Sequence, residues 1–220
     1  MRTQLSDKLA RFTALRPNEE SLHYQLFHHK NLAGGALSAK YTFFNVPIGA
    51  QDPDTGAQAS EEDTNMTQSG LLSAPNRFFA TKIHVAIAPP TTDLIPVGDD
   101  TLGTVESFKD DVSRLVNRGV FTMTLLNKEY VRVAPLGYLG AGYGVYGALA
   151  AASTVAATTI TNALVTNGMP TKNEGFTVAL PLETQTAFSA AISFPKATLT
   201  TAVAVRLGVV LDGILYRPEQ

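Results

Sequence analysis

RFFATKIHVAIAPP, residues 77–90, is a stretch in which polar and apolar side chains alternate. One set of alternate positions is mainly apolar: Phe79, Thr81, Ile83, Val85 and Ile87. The polar positions around it include Arg77, Lys82 and His84. Because successive side chains of a β-strand point to opposite faces, this alternation predicts a half-buried strand.

The same period of two recurs in four segments towards the C-terminus. They are GVFTMTLLNKEYVRVAPLG (119–137), EGFTVALPLE (174–183), TAFSAAISFP (186–195) and TAVAVRLGVVLDGILYRPEQ (201–220). Upstream, ALSAKYTFFNVPIG (36–49) is rich in aromatic and β-branched residues and also predicts a strand. Six or more strands with turn signals between them, such as Asn127–Lys128, predict a mainly all-β chain, an antiparallel β-sandwich or barrel.

Two segments show helical periodicity instead. Near the N-terminus, Ser6 can cap a short surface helix that Pro17 ends. Its apolar residues fall near one face: Leu9, Phe12 and Leu15. In the body of the chain, Thr104 can cap and Gly119 can stop a helix over residues 105–118. The apolar residues of that helix recur at helical spacing: Val105, Phe108, Val112, Leu115 and Val116.

The chain divides by composition into two regions. Residues 1–75 hold a polar N-terminal arm, the first strand and a long acidic loop, AQDPDTGAQASEEDTNMTQSG (50–70). Residues 76–220 are the β-rich body, in which no charged residue occurs from 133 to 171. The Gly, Ala and Thr residues of this run predict an excursion from the body at about 137–165.

The composition favours association between copies of the chain. Only 16% of the 220 residues are charged, against about 25% in an ordinary domain. Thr, of which there are 25, takes the place of the missing charge together with Ser, Ala and Gly. Since the net charge is −2, little repulsion keeps copies apart. This charge also argues against wholesale condensation of nucleic acid.

The charge-free run has the length of a transmembrane helix but not its composition. A span needs about 20 mostly apolar residues, and residues 145–165 include several Ser, Thr and Asn. Five glycines between 137 and 147 would weaken a helix, each by up to about 1 kcal/mol. No Lys or Arg cluster flanks the run as membrane topology would require. We therefore expect no membrane span here.

No set of residues has the spacing of a metal site. The absence of cysteine excludes disulfides and thiolate ligands. Three histidines lie close together in LHYQLFHHK (22–30), but not at zinc-site spacing: His23, His28 and His29. In the acidic loop, Asp52, Asp54 and Asp63 have a faint likeness to a calcium loop, but Ala57 stands where the sharp turn needs glycine. We expect a hydrated acidic loop, with calcium binding left open.

Nothing in the sequence predicts catalysis. Asp110 and Asp111 are adjacent on the predicted helix and therefore point about 100° apart. Asp99–Asp100 is a second pair in sequence only. The segment 140–142 partly matches a dinucleotide fingerprint but lacks a βαβ context. Serine-hydrolase, P-loop and zinc-protease motifs are also missing. We therefore expect that the chain is not an enzyme and has no catalytic residue, cofactor or metal.

These features together resemble the coat proteins of tailless icosahedral bacteriophages and related viruses with a single jelly-roll. The likeness lies in the polar arm, the Thr- and Ala-rich body of 76–220, loops without enzyme motifs, and a last strand, RLGVVLDGILYRPEQ (206–220), that ends the chain. The resemblance implies a jelly-roll β-sandwich with one or two short helices. It implies a self-assembling major capsid subunit, located in the virion and assembled in the host cytoplasm. No site residue of the family is carried over.

If copies of the chain assemble, the charge-free run and the arm are the segments that we expect to make contacts. Copies of the chain would pack against the excursion, because small residues allow close approach and tyrosines give rigid contact area. The predicted contact residues are Tyr138, Tyr143, Gly144 and Tyr146. The arm would contact the genome or an internal membrane through its basic residues: Arg2, Lys8, Arg11 and Arg16. It is less basic than many coat-protein arms. Other virion proteins are further expected partners.

Two other functions remain open. A phage tail-tube protein or another fibre-forming structural protein would also be poor in charge and self-associating. A carbohydrate- or ligand-binding β-sandwich would need no readable motif either. The native mass separates the three, because a shell is a closed particle, a fibre an open polymer and a binding module a monomer or dimer.

Overall fold

The computed structural model describes residues 10–88, 102–139, 147–149, 153–155, 158–160, 163–165, 176–196 and 198–219. Only the backbone is described for 102–109 and for the four segments between 147 and 165. Within the part of the chain that the structure describes, strands hold far more residues than helices do, and the sheets are antiparallel. The prediction of a mainly all-β, antiparallel chain is therefore confirmed.

Two four-stranded sheets form the body of the molecule. The first sheet consists, in spatial order, of β1 (Glu19–Leu32), β14 (Val205–Pro218), β4 (Arg77–Ala88) and β11 (Phe176–Leu182). The second sheet consists, in the same way, of β3 (Lys40–Phe43), β12 (Phe188–Ser193), β5 (Val120–Leu125) and β6 (Lys128–Val133). Both sheets therefore combine strands that are distant in the sequence.

The two sheets share one hydrophobic core. Side chains of the first sheet in this core include Leu26, Phe78, Ile83 and Leu207, all nearly inaccessible to solvent. Those of the second sheet include Phe43, Phe121, Met123 and Ile192. Since burying each such side chain contributes about 1.5–3 kcal/mol, this shared core is the main source of stability.

The strand β1 was not predicted from the sequence. It pairs with β14 along its whole length, from Glu19 opposite Pro218 to Leu32 opposite Val205. The strand β3 likewise lies before residue 75 and pairs with β12. The sheets therefore extend across the boundary that composition placed at residue 75.

The strand at 77–90 is confirmed, but the predicted face is wrong for its first half. Phe78 and Ala80, not Phe79 and Thr81, lie in the shared core with Ile83. The reason is a β-bulge at Thr81, where β4 has one residue more than β14. A side chain at Gly213 would overlap the Phe79 carbonyl oxygen, so glycine permits this close approach.

The predicted internal helix is confirmed. The structure has α2 at Leu102–Arg118, and Gly119 follows its last residue as expected. Thr104 lies inside the helix rather than at its cap, because the helix begins two residues earlier. Val112 and Leu115 are buried in the shared core. The 3₁₀ helix η1 (Leu136–Leu139) adds Leu136 and Leu139 to the core beside it.

Asp110 and Asp111 occupy opposite environments on α2. Asp111 is 1% exposed, whereas Asp110 is exposed. The Asp111 carboxylate accepts hydrogen bonds from the backbone N–H groups of Ala202 (2.7 Å) and Val203 (3.1 Å). Asp111 thereby holds the chain before β14 against the helix, and the two carboxylates share no site.

Substituting Asp111 by Ala should lower the free energy of unfolding by about 1.5–3 kcal/mol, because two backbone N–H groups lose a charged acceptor whose side chain is buried. The same change at the exposed Asp110 is the matched control and should cost less than about 1 kcal/mol, because interactions of exposed charges contribute little. Urea denaturation of both variants measures the difference. Equal stability of the two would contradict the structural role of Asp111.

The described parts of the charge-free run include four short strands. They are β7 (Gly147–Leu149), β8 (Ser153–Val155), β9 (Thr158–Ile160) and β10 (Ala163–Val165). β7 pairs with β10, and β8 pairs with β9, both antiparallel. The β8–β9 pair therefore lies between β7 and β10 in the sequence, as the inner part of a hairpin does. β10 lies beside α2. A separate small sheet pairs β2 (Gly35–Ala36) with β13 (Thr200–Thr201).

The outer strands of the first sheet do not present open edges. At the centre of β1, the loop at 63–65 binds the outward backbone groups: Asp63 O accepts from His29 N (2.6 Å), and Asn65 binds Phe27 N and Gln25 O. On the other side, β11 has a β-bulge after Thr177 and carries Pro181, which has no N–H to donate. Both features oppose the addition of a further strand.

The outer strands of the second sheet are protected in the same way. In β3, the Thr42 N–H donates to the carboxylate of Asp54 (2.9 Å). In β6, Tyr130 forms a bulge because the strand has one residue more than β5. The same strand is charged: Lys128, Glu129 and Arg132. Bulges and charges on outer strands oppose edge-to-edge pairing.

Candidate functional site

The structure describes one of the four predicted contact residues. Tyr138, in η1, is 70% exposed, although Leu136 and Leu139 on either side are buried. Tyr143, Gly144 and Tyr146 lie outside the described residues. An exposed aromatic ring between two buried leucines has the properties of an interface anchor, because a neighbour can cover it at little cost in entropy.

Two of the four predicted basic residues of the arm are described. Arg11 is exposed, and Arg16 forms a long, exposed ion pair with Glu183 (3.9 Å). Arg2 and Lys8 lie outside the described residues. The predicted contact of the arm with a genome or membrane is not addressed by these positions and stays a prediction.

The arm is held against the first sheet by a site that the sequence did not reveal. Residues 10–13 are helical, α1, and Phe12 packs with Phe79 and Tyr216 in a second hydrophobic cluster. Arg77, fully buried, donates to the carbonyl oxygens of Phe12 and Ala14. Leu15, predicted on the same helical face as Phe12, is 57% exposed because the helix ends before it.

Arg77 is neutralised by Glu19 at the start of β1. Its Nε and Nη2 atoms donate to the two carboxylate oxygens of Glu19 at 2.9 and 2.6 Å. The guanidinium also stacks on the Tyr216 ring, 4.2 Å from its centroid. Hydrogen bonding to Arg77 lowers the pKa of Glu19 and, in return, the bond to Glu19 raises the pKa of Arg77. The pair is bidentate and therefore fixes the arm in orientation.

The three histidines do not form a common site. They lie on β1, where successive side chains alternate, so His28 faces the core and His29 the opposite face. His23 is exposed and pairs with Asp212 at 2.6 Å. Among the residues that the structure describes, no three His, Asp or Glu side chains are placed to hold a metal.

A buried polar cluster joins β1 to the acidic loop. Lys30 is fully buried, and its Nζ donates to Asp52 Oδ1 and Oδ2 at 2.6 and 2.5 Å. Asp54 Oδ2 lies 3.0 Å from the same Nζ. The Phe43 ring is a neighbour at 5.8 Å. Two carboxylates of the loop considered for calcium are therefore already paired with an internal cation.

His28 belongs to the same cluster. Its Nδ1 accepts a hydrogen bond from Phe44 N (2.7 Å), and its Nε2 lies 3.9 Å from Asp52 Oδ2. Burial, reinforced by the Lys30 ammonium, lowers the pKa of His28 to about 4. The imidazole is thus neutral at pH 7 and serves as an acceptor.

A groove lies on the outer face of the first sheet. It has a volume of about 270 Å³ and is lined by Gln25, Phe27, His29, Glu62 and Val210. The His29 ring packs flat against Gly208, where a side chain would overlap it. Burial, together with the Arg206 charge, lowers the pKa of His29 to about 4. At pH 7 the groove therefore offers one aromatic ring, a neutral imidazole and one carboxylate.

Comparisons with known proteins identify no relative. A scan against protein-family models and a search of curated proteins both give no match. None of the helices in the described part of the chain is long and apolar enough to cross a membrane. A function for this chain must therefore be inferred from its own sequence and structure.

Proposed function

We propose that the two sheets form a jelly-roll sandwich. The eight strands of the two sheets can be renumbered 1 to 8 along the chain: β1, β3, β4, β5, β6, β11, β12 and β14. The spatial orders then become 1-8-3-6 and 2-7-4-5. The pairs 1·8, 2·7, 3·6 and 4·5 are nested, as in a long antiparallel ribbon folded over on itself. This nesting supports the jelly-roll, which consists of two sheets and eight strands.

From this fold we further propose that the chain is a self-assembling structural protein, the major coat subunit of an icosahedral virus. The strand order is the observation that carries the proposal, since viral capsids are one main use of jelly-rolls. The low charge and the excursion at 137–165 support it, because both favour contacts between copies. Fold does not by itself fix function, so the assembly state is the decisive property.

The native mass of the purified chain tests this function. We expect closed particles of uniform diameter in electron micrographs and a native mass far above that of one subunit. An open tube would instead support the fibre-forming alternative. A stable monomer or dimer at high protein concentration and physiological salt would contradict both structural functions.

Tyr138→Asp should prevent assembly without unfolding the subunit. The ring is 70% exposed in the single chain, so the change should alter the unfolding free energy by no more than about 0.5 kcal/mol. In a contact, the new carboxylate would be buried without a partner, at a cost of several kcal/mol. Tyr130, 57% exposed and outside the excursion, is the matched control. Normal particles from Tyr138→Asp would contradict the contact.

The groove beside Phe27 favours one second candidate, a ligand-binding module. Jelly-rolls also occur as lectin domains, and the groove combines an aromatic ring with polar groups, as small-molecule sites do. A glycan array with the wild-type chain and with Phe27→Ala tests this function. Saturable glycan binding by an unassembled wild-type chain, lost in the variant, would favour it over a shell.

A further inference from the structure

We propose that Lys30 and Asp52 are joined by an intramolecular isopeptide bond. The bond would link the Nζ atom of Lys30 to the Cγ atom of Asp52, with loss of one water molecule. It would tie β1 covalently to the acidic loop that covers its outer edge. This modification is independent of whether the chain forms a shell.

The two groups that would react are in direct contact. Nζ lies 2.6 and 2.5 Å from the two oxygens of the Asp52 carboxyl group. Since both oxygens are bonded to Cγ, these two distances place Nζ within about 3 Å of that carbon, the separation of reacting atoms in near-attack conformers. Fixing two groups in this way replaces a bimolecular encounter by a step within one molecule, worth orders of magnitude in rate.

The two reacting groups are shielded from solvent. The side chains of Lys30 and Asp52 are 0% and 6% exposed, and the Phe43 ring is adjacent. A buried ion pair loses its hydration, whereas the amine and the carboxylic acid that result from proton transfer between the two groups carry no charge. The amine is the nucleophile and the protonated acid the electrophile. Exclusion of solvent also removes the water that would reverse the reaction.

The reaction is a condensation that balances without an oxidant or other reagent. One proton of the Lys30 ammonium passes to the Asp52 carboxylate. The neutral amine attacks Cγ, an N–C bond forms, and the tetrahedral intermediate loses a second proton from nitrogen. The C–OH bond then breaks, and the hydroxyl leaves as water after gaining that proton. An amide and one water molecule replace the ammonium and the carboxylate.

Asp54 is placed to carry the second proton. Its Oδ2 atom lies 3.0 Å from Nζ and accepts a hydrogen bond from Thr42 N (2.9 Å). The Asp54 N–H donates to Asp52 Oδ1 (2.8 Å) and polarises the carboxyl group that is attacked. A carboxylate in contact with Nζ can take the proton from nitrogen as a base and, once protonated, act as the acid for the leaving hydroxyl. Asp54 is therefore the catalytic residue of the reaction.

Peptide mapping of the purified full chain tests the bond. An unmodified chain gives separate tryptic peptides for residues 12–30, 31–40 and 41–77, because trypsin cleaves after Lys30 and Lys40. The bond blocks cleavage at Lys30 and yields one branched species, 12–40 linked to 41–77, one water lighter than the sum of its parts. Full recovery of the three separate peptides would overturn the proposal.

Two variants assign the roles. Asp52→Ala should give only the unlinked peptides. Asp54→Asn should lower the linked fraction at least tenfold in freshly made protein, while Asp63→Asn, which changes another carboxylate of the same loop, should leave it at the wild-type level. Circular dichroism confirms that each variant is folded. Equal linkage in Asp54→Asn and Asp63→Asn would overturn the role of Asp54, and linkage of Lys30 to another residue would overturn that of Asp52.

Discussion

Arg77→Met is expected to lower the free energy of unfolding by about 3–5 kcal/mol, because it leaves the largely buried Glu19 carboxylate without its partner. The carbonyl oxygens of Phe12 and Ala14 lose their donor at the same time. Loss of these bonds should also release the arm from the first sheet. Chemical denaturation measures the stability, and limited proteolysis near residue 14 measures the release.

The matched control lies in the same sheet, between β14 and β1. Arg217 binds Glu20 at 2.5 Å, but the two side chains are 42% and 40% exposed. Removal of such a surface pair costs less than about 1 kcal/mol, so Arg217→Met should remain close to wild type. If both methionine variants were equally stable, the arm would not depend on the buried pair.

Acid is expected to destabilise the chain well before its carboxyl groups titrate. Burial holds the pKa values of His28 and His29 at about 4, below the ordinary 6.5. As the pH falls below 6.5, the unfolded chain therefore binds protons that the folded chain does not, and stability decreases. Between pH 6.5 and 5 the loss amounts to about 2 kcal/mol for each histidine.

Urea denaturation at pH 7 and pH 5 measures this loss. The variant His28→Gln keeps an acceptor for the Phe44 N–H group but cannot titrate. Its unfolding free energy should therefore fall about half as much between pH 7 and pH 5 as that of the wild type. The groups around the two rings are Lys30, Asp52 and Asp54 in the cluster, with Asp63 and Arg206 beside His29. A wild-type chain of equal stability at both pH values would show that the histidines are accessible to protons when folded.

Alternation along the sequence predicts most of the sheets, because one face of each strand enters the core. It fails for β1, where the inward positions include His28 and Lys30. Those two polar residues are compatible with the core only because Asp52 pairs with Lys30 and Phe44 N–H binds His28. These partners lie beyond the strand, so no local pattern can reveal them.

The inward face of β4 and the burial of Arg77, which holds the arm, could not be predicted from local sequence either. A bulge changes which residues face inward, and the bulge at Thr81 depends on Gly213 of another strand. Arg77 has the appearance of an ordinary surface residue at the start of a strand. Its burial follows from Glu19, which is distant in sequence. Helix α2 was predictable because its periodicity and its terminating glycine are local.

The protected outer strands have a consequence for how copies of the chain meet. A backbone ladder between two molecules is a deep kinetic trap, because many hydrogen bonds must break together before a wrong partner can leave. In the assembly proposed above, neighbours that do not add strands to these protected edges would be held mainly by side chains, and a misplaced copy could dissociate and return. Such subunits would be able to correct errors while they assemble, even when newly made chains are crowded.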